Sequence, residues 1–259
     1  MALRGRLRGG GQGIEVSERD GVRYLHIGST DIQSAMRVDR PYDLELTYSR
    51  CVFAPLLFAP MPRRVFTIGL GGGSIPKFIH HHMPEVVQTV VEIDPRVVAV
   101  ARTQFMLPPE DERLTLWIGD GAEALRRETV PQDWILLDGF DGSEQSDGLT
   151  TEDFYAECAR RLTPTGVLIA NIWSTASTYD AQIDRLRRIF PERLLLLPAG
   201  FKSNVLCLGF AAPPRPLDWA ALRLAARQWQ GALGLPFDQF LDDFKRLNAH
   251  DSRHLQPGG

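Results

Sequence analysis

The chain has 259 residues and a formal net charge of −3 at pH 7, with 44% hydrophobic and 24% charged residues. That balance is ordinary for a globular protein and long enough for one α/β domain with a small extension and a sizeable core. It excludes a bulk electrostatic pull toward nucleic acid or acidic lipid, and no apolar run approaches the ~18–20 residues that span a bilayer.

The predicted elements run as follows. The start, "MALRGRLRGGGQG", carries arginines but no apolar segment, so residues 1–11 read as a loose arm rather than a secretion signal. Residues 12–38 hold short β-like runs broken by "RDG" and "GST", a small hairpin region. Residues 42–59 read as a helix interrupted or ended near Pro55, which completes an N-terminal region over 12–60. From Arg64 strands and helices alternate. "RVFTIGL", "VQTVVEI", "RLTLWIG", "DWILLD" and "GVLIANIW" are strands, followed by helices over 74–82, 95–106, 121–128, 151–162 and 179–189. "RLLLLPA" and "SNVLCLGF" close the set as an antiparallel pair, and helices over 217–230 and 236–248 pack outside. The strands are near-continuous apolar runs, as in a sheet covered on both faces. The expected fold is therefore a doubly wound, Rossmann-like, mostly parallel seven-stranded sheet over 61–250, with a frayed tail over 251–259. Cys51, Cys158 and Cys207 are scattered, odd in number and without metal-type spacing, which places the protein in a reducing, cytoplasmic compartment. His80, His81 and His82 are contiguous, a spacing that suits a solvated helix face better than a metal site.

Doubly wound sheets bind ligands at the carboxyl ends of their strands. After the first strand comes "GLGGGS", where Gly71, Gly72, Gly73 and Ser74 let a ligand approach the backbone ahead of a helix N-terminus. The alternative is that those glycines serve packing alone. After the second comes "VEID". Glu92 is placed to accept from the hydroxyls of a ribose, and Asp94, followed by Pro95, to cap a helix. After the third comes "GDG", where Asp120 accepts from an adenine amine or caps a helix, and Gly121 clears space for a ring. After the fourth come Asp138 and Asp141, before a polar loop with Glu144 and Asp147. Asp138 ends a buried strand, where a carboxylate needs a partner. These strand ends point to an adenosine-like ligand. Ser74 in the sixth place of GxGxxG disfavours a dinucleotide, and acids all around suit a sulfonium.

The order of "QGIEV…DIQSAM", "GGGS", "VEID", "GDG" and "LLDGFDG…LTTEDFYAECARRLTPTGVLI" resembles the spermidine synthase (polyamine aminopropyltransferase) family, a branch of the class I S-adenosylmethionine-dependent methyltransferase fold. The resemblance covers roughly Gln12 to Phe210. It implies transfer of an aminopropyl group from decarboxylated S-adenosylmethionine to a polyamine-type amine, with methylthioadenosine leaving. It puts Gln12 and Gln33 on the nucleoside, Asp138 on the catalytic aspartate and Asp141 on the second one. It also implies a homodimer that takes a small-molecule amine and needs no metal.

The sequence departs from the family in the amine half. Ser74 is read at the place of an acid that grips the donor's amine, which implies weak discrimination between decarboxylated and intact S-adenosylmethionine. Gly142, Ser143 and Glu144 replace a proline-containing stretch, and Tyr48 is the nearest counterpart of a tyrosine-glutamine pair. Two alternatives stay open: a methyltransferase on the same fold, and a non-catalytic nucleoside-binding relative. Thr67, where a methyltransferase loop usually has an acid, disfavours the first; Asp138 disfavours the second.

Overall fold

The computed structural model describes residues 4–7, 13–141, 144–145, 147–199 and 204–258, with the strands at 4–7, 140–141 and 144–145 described by backbone alone. The first part is an antiparallel sheet in the order β1 (Arg4–Leu7), β2 (Ile14–Arg19), β3 (Val22–Ile27) and β4 (Ser34–Arg37). Strands β2 and β3 close through Asp20 and Gly21, both at positive φ (53° and 73°), the conformation that matches the twist of a two-residue hairpin. Part of the expected loose arm is paired: Arg4–Leu7 runs antiparallel to residues 14–17. Ile14, Leu25 and Met36 are buried with Leu70, Val97 and Phe105, so the small sheet packs onto the larger unit.

The helix expected over 42–59, broken near Pro55, is α1 (Thr47–Cys51) followed by a 3₁₀ turn (Ala54–Leu57). Pro55 sits in the first turn of that second piece, where its missing N–H costs nothing. Then come β5 (Arg64–Ile68), α2 (Ser74–His82), β6 (Val87–Glu92), α3 (Pro95–Gln104), β7 (Leu114–Ile118), α4 (Gly121–Arg127) and β8 (Gln132–Leu137). After two short strands, β9 (Phe140–Asp141) and β10 (Glu144–Gln145), follow α5 (Glu152–Arg161), β11 (Leu162–Trp173), α6 (Tyr179–Ile189), β12 (Leu194–Pro198), β13 (Asn204–Phe210), α7 (Trp219–Leu233) and α8 (Phe237–Phe244).

The large sheet has seven strands in the order β12-β13-β11-β8-β5-β6-β7. All neighbours are parallel except β13, which runs antiparallel to both β11 and β12. Both faces are covered, which is why the strands read as unbroken apolar runs. In β8, Trp134 and Leu136 join one core with Phe53, Phe78 and Phe237, while Ile135 and Leu137 join the other with Phe66 and Tyr155. The chain reverses direction across the sheet between β5 and β8, whose carboxyl ends lie side by side. That is the place where such sheets open a crevice.

The carboxyl-terminal segment differs from the frayed tail its polarity predicts. Leu255 is 1% exposed in the same core as Trp219 and Phe244, and its N–H donates to Leu217 O at 2.9 Å. Asp251 takes the N–H groups of Arg253 and His254. One buried leucine and a closed turn are enough to fix a segment whose other side chains face water.

Candidate active site

A cavity of about 640 Å³ opens at the carboxyl ends of β5, β6, β7 and β8. Of the residues expected at the site, Gln33, Gly71, Glu92, Asp120, Gly121 and Asp138 line it.

The glycine turn occupies Gly69–Gly73, between the end of β5 and the start of α2. Gly69 has φ +97°, and a Cβ there would lie 2.4 Å from Asp138 O. Only a residue without a side chain lets β5 turn this tightly against the end of β8. Gly72, Gly73 and Ser74 do not line the cavity. Gly72 packs toward Ser34 and Phe105. Ser74 begins α2, where its hydroxyl donates to Ala35 O (3.3 Å) and lies 3.1 Å from Ser34 Oγ. The expectation that Ser74 faces the donor's amine is corrected by this placement: the residue is turned toward β4. Gln12 lies outside the described residues, as do the side chains of Asp141, Glu144 and Asp147.

Glu92 ends β6, 9% exposed. Its Oε2 accepts from Leu70 N and its Oε1 from Asp94 N, both at 3.0 Å. Burial pushes its carboxyl above the ordinary range, and those backbone donors pull it back. The carboxylate thus fixes the glycine turn to the β6 end. Asp94 caps α3, accepting from Arg96 N at 2.8 Å and pairing with the Arg96 guanidinium at 2.5 Å. Asp120 caps α4 through Oδ1, which accepts from Glu123 N at 2.7 Å, and it still lines the cavity. Gly121 opens α4 against Ile68. A Cβ there would come within 2.4 Å of Ile68 Cγ2. Gly121→Ala is expected to overpack this contact and to lower stability by ~1–3 kcal/mol, measured by urea unfolding. An unchanged midpoint would show that β5 and α4 separate freely.

Asp138 follows β8, its N–H bonded to Ile68 O at 2.9 Å. Tyr48, from α1, donates its hydroxyl to Asp138 Oδ2 at 3.2 Å. Asn171, from β11, donates Nδ2 to Asp138 Oδ1 at 2.8 Å. Burial raises the Asp138 carboxyl from its ordinary 3.8 to about 6, against the lowering effect of those two bonds, and the charge on Glu92 adds to the rise. Burial, and then the Asp138 charge, hold the Tyr48 phenol well above its ordinary value. Both donors are therefore neutral at physiological pH, and the carboxylate keeps free electron pairs for a proton. Asn171 was missed in the sequence. Its signal was one amide in the apolar run "GVLIANIW", a residue that is 1% exposed.

The three consecutive histidines take separate roles. His80 Nε2 lies 2.9 Å from Asp111 Oδ2, His81 stacks on Tyr42 with ring centroids 4.2 Å apart, and His82 leans on Phe78. Among the described residues no group of three or more His, Cys, Asp or Glu is placed to hold a metal ion.

The family description "Spermine/spermidine synthase domain" matches residues 46–192. A polyamine aminopropyltransferase of Chromobacterium violaceum is 41% identical over 242 residues, 93% of each chain. The chain belongs to the spermine/spermidine synthase family. The matched stretch takes in Tyr48, the glycine turn, Glu92, Asp120, Asp138 and Asn171, while Gln33 and the strands β2–β4 precede it. The fold is shared with a probable spermidine synthase from Corynebacterium glutamicum, at a TM-score of 0.72 and 19% identity over 90% of this chain and 89% of that one. It is shared as well with human methyltransferase-like protein 13, solved in complex with SAH, at 0.66 and 25% over 73% and 92%.

Proposed function

We propose that this protein is an aminopropyltransferase that uses decarboxylated S-adenosylmethionine as donor and a polyamine-type amine as acceptor. The observation that carries the reading is Asp138, a carboxylate held by two neutral donors in the same cavity as Glu92 and Asp120. The similar Chromobacterium violaceum protein is named a polyamine aminopropyltransferase, which supports it. In this reading Glu92 accepts from the ribose hydroxyls, Asp120 from the adenine amine, and Gly71 and Gln33 border the nucleoside.

The chemistry is a substitution. The acceptor nitrogen forms a bond to the aminopropyl carbon next to sulfur, and the carbon–sulfur bond breaks. Its electron pair returns to sulfur, which loses its positive charge and leaves as methylthioadenosine. The proton lost by the nitrogen goes to Asp138. The sulfonium is already an activated leaving group, so the protein supplies alignment and a base. A base with a carboxyl near 6 is ionised at pH 7, and activity should depend on that ionisation. We expect kcat/KM to rise with pH through about 6 and to lose its acid limb in Asp138→Asn. A profile flat from pH 5 to pH 7 in the parent would contradict the role of Asp138.

A second reading, a methyltransferase using S-adenosylmethionine, is favoured by the likeness to human methyltransferase-like protein 13. Against it, the acid's place in the methyltransferase loop is Thr67, whose hydroxyl is buried without a hydrogen-bond partner. The two readings separate by product. Each donor is incubated with an amine panel and the mixture analysed by mass spectrometry. The first reading gives methylthioadenosine from the decarboxylated donor, and the second gives S-adenosylhomocysteine from the intact one.

We further infer a homodimer acting on small amines in a reducing, cytoplasmic setting. The three thiols are free and buried, and among the described residues no helix is long and apolar enough to cross a membrane.

A further inference from the structure

A second amide lines the cavity beside Asn171 and Asp138. Asn204, at the start of β13, donates Nδ2 to Asn171 Oδ1 at 2.9 Å. Strands β11 and β13 pair antiparallel with Trp173 opposite Asn204, so the two asparagines are diagonal neighbours across the ladder. An amide offers an oxygen on one side and an NH2 on the other, and the two ends look alike in shape. The acceptor-only carboxylate of Asp138 calls for the NH2 side of Asn171, and Asn204 supports that orientation. By filling the oxygen, it leaves the NH2 toward Asp138. The reverse orientation would set an amide oxygen against a carboxylate.

Resting on the reading of Asp138 as the base, we propose that Asn171, supported by Asn204, is a positioning residue: it fixes the rotation of the Asp138 carboxylate and holds it ionised for the incoming amine. A buried amide in the middle of an apolar strand costs stability unless it is bonded, and β11 would pack more simply with leucine at this place. The bond goes to the charged form of Asp138, so it favours that form. The other groups facing the carboxylate are the Tyr48 hydroxyl from α1, which also favours the ionised form, and the Glu92 carboxylate from β6, which opposes it.

The test compares Asn171→Leu and Asn204→Ala with the parent, and with Asp138→Asn alone and combined with Asn171→Leu. Asn171→Leu is expected to lower kcat roughly ten- to a hundred-fold through misalignment, with the amine KM and the methylthioadenosine affinity within a factor of a few. Its acid limb should move to higher pH. Asn204→Ala should shift kcat and the limb in the same direction by less, and it keeps the question open to refutation if the leucine variant does not fold. In the Asp138→Asn background, Asn171→Leu should cost nothing further. A rise in amine KM with kcat and limb unchanged would make Asn171 a substrate contact and overturn the proposal, as would additive losses in the double variant. If Asp138→Asn itself stays active, the assignment of the base fails. If that variant is inactive while Asn171→Leu matches the parent, only the positioning role fails.

Discussion

Asp138→Asn is expected to lower kcat by roughly 10²–10⁴-fold, the usual contribution of a positioned base, while methylthioadenosine binds within a factor of a few of the parent. The asparagine keeps the size of the side chain but cannot accept the proton, and Glu92 and Asp120 are untouched. A second signature comes from stability. In the folded protein the Asp138 carboxyl lies near 6 rather than 3.8, chiefly through burial. Between those values the folded state binds the proton more readily than the unfolded chain. Stability therefore falls as pH rises across that window. Asp138→Asn should remove this slope. Unfolding curves at several pH values, run beside turnover assays, check both halves. Turnover within a factor of a few of the parent would move the base elsewhere.

Glu92→Ala is expected to weaken methylthioadenosine binding roughly ten- to a hundred-fold, as for the loss of hydrogen bonds to a charged acceptor worth on the order of 1.5–3 kcal/mol. The structure adds a cost that the sequence did not show. Glu92 also holds the N–H groups of Leu70 and Asp94, so alanine strands two backbone donors and loosens the glycine turn. Glu92→Gln keeps acceptor capacity on one side and should fall between parent and alanine in both affinity and stability. Calorimetry on folded variants reads the affinity. An alanine variant that binds as the parent does would remove Glu92 from the nucleoside site.

The sheet was legible because burial on both faces writes itself into the strands. "WILL" is apolar at every position, since Trp134 and Leu136 face one core and Ile135 and Leu137 the other. That Glu92, Asp120 and Asp138 line the cavity was legible because each stands at a strand end, where a doubly wound sheet opens its crevice. What stayed hidden depends on contacts distant in sequence. Tyr48 and Asp138 are 90 residues apart, and Asn171 is 33 residues from both Asp138 and Asn204. No local pattern joins them. The start of the helix at Ser74 was legible, but the direction of its side chain was not, because that depends on β4, about 40 residues away. The helix starts at Ser74 and carries its side chain toward β4. The tail was misread because one buried leucine among polar residues leaves no periodic signal.

The central claim is that one cavity binds the nucleoside through Glu92 and Asp120 and presents its sulfur to Asp138. A crystal structure of the protein with methylthioadenosine and an acceptor amine tests it most directly. The account predicts ribose hydroxyls on the Glu92 carboxylate, the adenine beside Asp120 and Gly121, and the acceptor nitrogen hydrogen-bonded to Asp138 on the sulfur side. A nucleoside bound elsewhere, or one turned so that its sulfur points away from Asp138, would contradict it.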